Sequence, residues 1–128
     1  MSESVRVIQS VVDEPGRNNE RIGQWILHVR TPYIMEISSR DITMKAYLDD
    51  VAQIAGPSIK CVSSGADHRT VMKAMGSASA IFSENNGAYC VGSSFDEALC
   101  VAEVLEKGCL AAYLGLIRDA DPVGFIDA

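Results

Sequence analysis

The chain has 128 residues, the size of one ordinary domain, with 48% hydrophobic and 22% charged residues. That balance excludes a disordered chain. A net charge of −6 and a pI near 4.8 exclude a surface built for nucleic acid or anionic membranes. No apolar run approaches the roughly 18 residues of a membrane span, and the N-terminus lacks the basic and apolar regions of a signal peptide. We therefore expect a cytoplasmic protein. Cys61, Cys90, Cys100 and Cys109 form no C-x-x-C pair, and most lie in apolar runs, so they read as reduced core residues.

In chain order, Met1–Ser4 should fray and Val5–Val12 is rich in β-branched residues, a strand signal. Turn residues 14–19 precede a second strand, Ile22–Val29, which predicts a β-hairpin. Thr31 and Pro32 suit the N-cap and first position of a short helix through Ser38. Residues 41–55 mix signals, although Leu48, Val51, Ala52 and Ala55 fall at helical spacing before Gly56-Pro57. Ile59–Ser63 reads as a strand. Asp67 caps a helix through Met75 that Gly76 ends. Ala78–Ser83 and Ala88–Gly92 flank Asn85-Asn86-Gly87, a hairpin signal. Ser94 and Glu97 form a capping-box pattern before a long helix, Phe95 to about Ile117. Ala98, Ala102, Leu105, Cys109, Ala112 and Leu116 share one face of it. So apolar a helix is buried on two sides or sits in a subunit contact, and close approach of another backbone would explain Gly108 and Gly115. Residues 119–128 read as a peripheral tail. The interleaving predicts a single α/β domain over 1–128, with helices covering one mixed or mostly antiparallel sheet.

Three stretches, in order, carry a family resemblance. They are Trp25–Tyr33 (WILHVRTPY), Arg40–Ile42 through Tyr47 to Gly56–Cys61, and Ala80–Gly92 (AIFSENNGAYCVG). With the helix that follows (FDEALCVAEVLEKG), they resemble the class II aldolase/adducin family, which includes fuculose-phosphate aldolases, ribulose-phosphate 4-epimerases and the adducin head. The resemblance covers about residues 24–123 and implies a class II aldolase-like α/β/α fold.

It also implies a zinc site of three histidines. His28 stands at the first of those positions, Arg30 at the second and Asn86 at the third. A guanidinium stays protonated and cannot ligate, and an amide oxygen suits harder cations than zinc. His68 matches no ligand position. Tyr47 matches the family's tyrosine proton donor, which acts across a subunit boundary. The family's Gly-Asn-x-Ser phosphate loop has no counterpart in the 27 residues before His28, and Glu3 would stand for the family's glutamate only in a helical N-terminus.

Each residue also has a plainer reading. His28 suits a polar strand end, and Arg30 pairs with an acid or binds an anion where zinc once sat. Asn86 suits a turn position with positive φ, and Tyr47 suits a half-buried aromatic. Asp49-Asp50 reads as a solvated face and Asp67-His68 as a helix start. The expectation is an aldolase-like domain with a degenerate zinc site, a non-catalytic, homo-oligomeric binding or structural protein of carbohydrate-related metabolism. The resemblance makes a tetramer the expected assembly, with a small anionic or sugar-phosphate ligand near Arg30 and Tyr47. No cofactor is expected; the alternative is a weakly bound divalent metal. The alternative function is a sugar-phosphate aldolase or epimerase with a metal-free site, or one completed by a partner chain.

Overall fold

A computed structural model describes residues 5–9, 25–46 and 48–117. The expected turn at 14–19, the tail at 119–128, Glu3 and Tyr47 lie outside the described residues.

The main sheet has five strands in the order β1-β2-β7-β6-β5. β1 (Val5–Gln9) and β2 (Trp25–Val29) form the expected antiparallel hairpin, with Val5 opposite Val29 and Arg6 opposite His28. β2 pairs antiparallel with β7 (Ala88–Gly92), which pairs antiparallel with β6 (Ala80–Ser83). β6 runs parallel to β5 (Cys61–Val62), so the sheet is mixed. The expected strand Ile59–Ser63 is divided. Ser58–Ile59 (β4) instead pairs with Met44–Lys45 (β3) in a separate two-stranded sheet. The ambiguous 41–55 stretch resolves into β3 and α2 (Asp49–Ile54), whose inward Val51 is fully buried.

Strand alternation divides the core in two. Leu27, Val29, Phe82, Ala88 and Cys90 face α1 (Pro32–Ser38), α2 and α4 (Phe95–Ile117). Ile26, Ile81 and Val91 face α3 (His68–Met75). Burying a side chain such as Phe82 or Leu27 contributes about 1.5–3 kcal/mol, so the three-helix side holds most of the stability.

The helix ends show how sequence signals were used. Asp67 caps α3 as expected, accepting from the Thr70 amide at 2.8 Å. Ser94 Oγ accepts from the Glu97 amide at 3.1 Å, but the Glu97 carboxylate returns to the amide and hydroxyl of Ser93, one residue earlier than a capping box requires. Thr31 occupies the N-cap of α1, yet its hydroxyl accepts from no helix amide. It donates to Glu106 on α4 at 2.7 Å, and the same carboxylate accepts from the amides of Tyr33 (3.1 Å) and Ile34 (2.9 Å). The cap of α1 is thus supplied 75 residues away in sequence.

Two expectations for α4 are corrected. Its buried stripe runs through Ala98, Val101, Ala102, Leu105, Gly108, Cys109, Ala112 and Gly115, while Leu116 is 42% exposed. Leu116 lies about five full turns after Ala98 and shares its azimuth, so its exposure comes from its place in the last turn of α4, next to Ile117, which is 57% exposed. Gly108 admits a side chain rather than a backbone: a Cβ there would lie 2.7 Å from Val51 Cγ2. All four cysteines are unbonded; Cys90 and Cys109 lie in the core and Cys61 is half-buried. Cys100 is exposed, because it lies about 200° around α4 from Ala98, on the face opposite the stripe.

Candidate functional site

His28 sits in the middle of the sheet, opposite Tyr89 of β7. It is nearly buried, and its ring stacks on Tyr89 with centroids 5.1 Å apart and planes 29° from parallel. Its Nε2 lies 2.7 Å from the backbone carbonyl oxygen of Asn86. A carbonyl only accepts, so Nε2 is the donor of this bond.

Asn86 belongs to the turn between β6 and β7. That turn is closed by bonds from the Ser83 amide to the Gly87 carbonyl (2.8 Å) and from the Asn86 amide to the Ser83 carbonyl (2.9 Å). Positive φ falls on Asn85 (57°) and Gly87 (87°), so Asn86 is a turn residue but not the left-handed one. Its side-chain amide donates to Ser83 Oγ at 3.4 Å. Gly87 is required by close approach as well as by φ: a Cβ there would stand 2.2 Å from the Val29 carbonyl oxygen.

Arg30, one residue past β2, is exposed, and its Cγ would lie 3.1 Å from that same Cβ. It has no acid partner among the described residues. His28, Arg30 and Asn86 therefore lie near the hairpin tip.

The donor set does not fit zinc. One imidazole has an Nε2 committed to a carbonyl, one member is a permanent cation, and one is an amide. Among the described residues, no group of three His, Cys, Asp or Glu side chains stands together in a way that holds a metal ion.

Three participants escaped the sequence reading. Ser38, fully buried at the end of α1, accepts from the Gly87 amide through Oγ (3.2 Å) and from the Asn85 amide through its carbonyl (3.1 Å). Its signal was a hydroxyl four residues after Ile34 on an otherwise apolar face. Glu106 lies beside the apolar stripe of α4, four residues after Ala102. Tyr89 was visible only as an outward position in a strand. Beside Tyr89, the α3 side of the sheet has an open groove of about 210 Å³, lined among the described residues by Ile26, His68, Val71, Met72, Met75 and Tyr89.

A mixed sheet covered by helices on both faces defines an α/β protein. The family model described as class II aldolase and adducin N-terminal domain matches residues 20–113, and the chain belongs to that family. No curated protein matches it. Among solved structures, an L-fuculose 1-phosphate aldolase superposes with a TM-score of 0.64 at 19% identity, over 77% of this chain and 48% of its own. The L-fuculose-1-phosphate aldolase from Thermus thermophilus gives 0.63 at 15%, over 77% and 56%. YgbL from Escherichia coli, a putative aldolase/epimerase/decarboxylase, gives 0.60 at 17%, over 71% and 48%. The chain spans about half the length of these structures, and likeness at this identity establishes the fold.

Proposed function

We propose that this chain is a non-catalytic, self-associating cytosolic binding domain on the aldolase fold, with a small-anion site at Arg30. The observation that carries the reading is the His28 Nε2 contact to the Asn86 carbonyl. It turns the one retained imidazole into a fastener of the hairpin, at the place where the resemblance implies a metal ligand. Class II aldolase chemistry needs a Lewis acid to stabilise the enediolate, and these three residues offer no grip for one. Arg30 supplies a fork that suits carboxylates or phosphates, in a chain whose net charge of −6 otherwise repels them.

Metal analysis of the purified protein tests this directly. Zinc far below one per chain is expected after incubation with the metal and removal of the excess. One tightly held zinc per chain that disappears in His28→Ala refutes the reading and favours the lyase or epimerase alternative. Calorimetric titration with inorganic phosphate, repeated on Arg30→Ala, tests the anion site, and light scattering tests self-association.

A further inference from the structure

Along β2, alternate residues place Ile26 and His28 on the α3 side of the sheet, and Arg30 follows one step past the strand end. Tyr89 links the groove to His28, the middle residue of this row. It stacks on His28, and it also forms a wall of the groove under α3. The groove is walled by Ile26, Val71, Met72 and Met75, with the His68 imidazole also in its lining, and no carboxylate, ammonium or guanidinium lines it among the described residues. An aromatic ring therefore meets a mostly apolar wall there. Its volume of about 210 Å³ exceeds the ~150 Å³ apolar cavity that accepts one benzene ring. The two thioethers are polarisable partners for an aromatic ring. The Tyr89 hydroxyl has no hydrogen-bond partner among the described residues, which leaves a donor at the groove wall.

We propose that the groove and Arg30 together form one elongated site for an amphipathic aromatic anion, its ring under α3 beside Tyr89 and its carboxylate or phosphate at Arg30. The anionic half of this inference rests on the anion site proposed above; the aromatic half rests on the groove alone. Arg30 lies two residues, about 7 Å, past His28 and its partner Tyr89, and four residues, about 13 Å, past Ile26 in the groove, so a tether between ring and anion suits the site better than a directly attached anion. A polyol chain would leave its hydroxyls unpaired against Val71, Met72 and Met75.

The test uses the full chain labelled with 13C at methionine methyls, titrated with 3-phenylpropionate, propionate and 4-methylphenol. We expect 3-phenylpropionate to shift the Met72 and Met75 methyl signals and to bind about tenfold more tightly than propionate, from half-burial of its ring. Arg30→Ala should remove that ligand's advantage over 4-methylphenol while the methionine shifts persist. Met72→Glu should erase the preference for 3-phenylpropionate over propionate; Met72→Ala, a milder change for folding, should weaken it. Static methionine signals, with propionate binding still dependent on Arg30, overturn this inference and leave the anion site standing. Methionine shifts with affinities indifferent to Arg30→Ala overturn the anion site, and the spanning ligand with it.

Discussion

Removing the Glu106 carboxylate tests whether α1 is capped from α4. In Glu106→Ala the amides of Tyr33 and Ile34 and the hydroxyl of Thr31 lose their common acceptor. Hydrogen bonds to a charged group contribute about 1.5–3 kcal/mol each. The site is half-buried, so water replaces part of the loss, and the lower figure applied to the two amides gives about 3 kcal/mol. With an unfolding entropy of about 2.1 cal/mol/K per residue, 128 residues convert this into a fall in Tm of about 11 °C. Urea unfolding at fixed protein concentration should show a lower midpoint with an unchanged slope. Glu106→Gln keeps one acceptor oxygen and should lose roughly half as much. Glu103→Ala, exposed on the same helix, should stay within about 0.5 kcal/mol of the parent. A Glu106→Ala protein as stable as Glu103→Ala would refute the reasoning and return the cap to Thr31.

Gly87→Ala should cost about 3 kcal/mol or more, since it combines positive φ with a Cβ 2.2 Å from a backbone oxygen that cannot move alone; chemical denaturation measures it. Ser38→Ala should cost about 1–3 kcal/mol by leaving the Gly87 amide without its acceptor, with faster hydrogen exchange at Gly87 as the local readout. Gly108→Ala should be neutral to about 2 kcal/mol destabilising, overpacking against Val51 being offset by helix propensity. Adding Val51→Ala should make the same glycine replacement stabilising, a sign change read from a double-mutant cycle. Backbone and hydroxyl hydrogen bonds from Thr70 and Ser93 lower the pKa values of Asp67 and Glu97. Their stabilising effect is therefore full above the unfolded pKa values near 4 and lost as pH falls through the folded ones. Asp67→Asn with Glu97→Gln should flatten the acid limb of a stability–pH curve below about pH 5 and leave its shape at neutral pH unchanged. Thiol titration at pH 8 should label Cys100 first. Burial holds Cys61 up at about 11 and Cys90 up at about 12, so Cys90 should react only on unfolding.

Periodicity revealed the elements whose signals are local. The Asn-Gly turn, the Asp67 cap and the β1–β2 alternation need only neighbouring residues, and all three lie where the sequence puts them. The split of Ile59–Ser63 was not legible, because two-residue strands carry no period and their partners, Met44–Lys45 and Ala80–Ser83, are distant in the chain. The exposure of Leu116 was not legible, since it shares the azimuth of Ala98 and differs only in lying in the last turn of α4, and glycine carries no hydropathy signal to show that Gly108 and Gly115 join the buried face. At the candidate site, the family pattern singled out His28, Arg30 and Asn86. It said nothing of Nε2 bonding to a backbone carbonyl, which depends on the depth of the hairpin tip over the sheet. Ser38 and Glu106 act on amides 49 and 73 residues away, beyond the reach of any spacing rule.

Held at its first turn by Glu106 and at its last residue by the hairpin tip, α1 is a strut of fixed length. Each helical residue advances about 1.5 Å and rotates about 100°. Inserting or deleting one residue between Thr31 and Ser38 would therefore swing the serine hydroxyl away from Gly87 even with the start still clamped. The segment should accept exchanges of side chain far more readily than any change in its residue count.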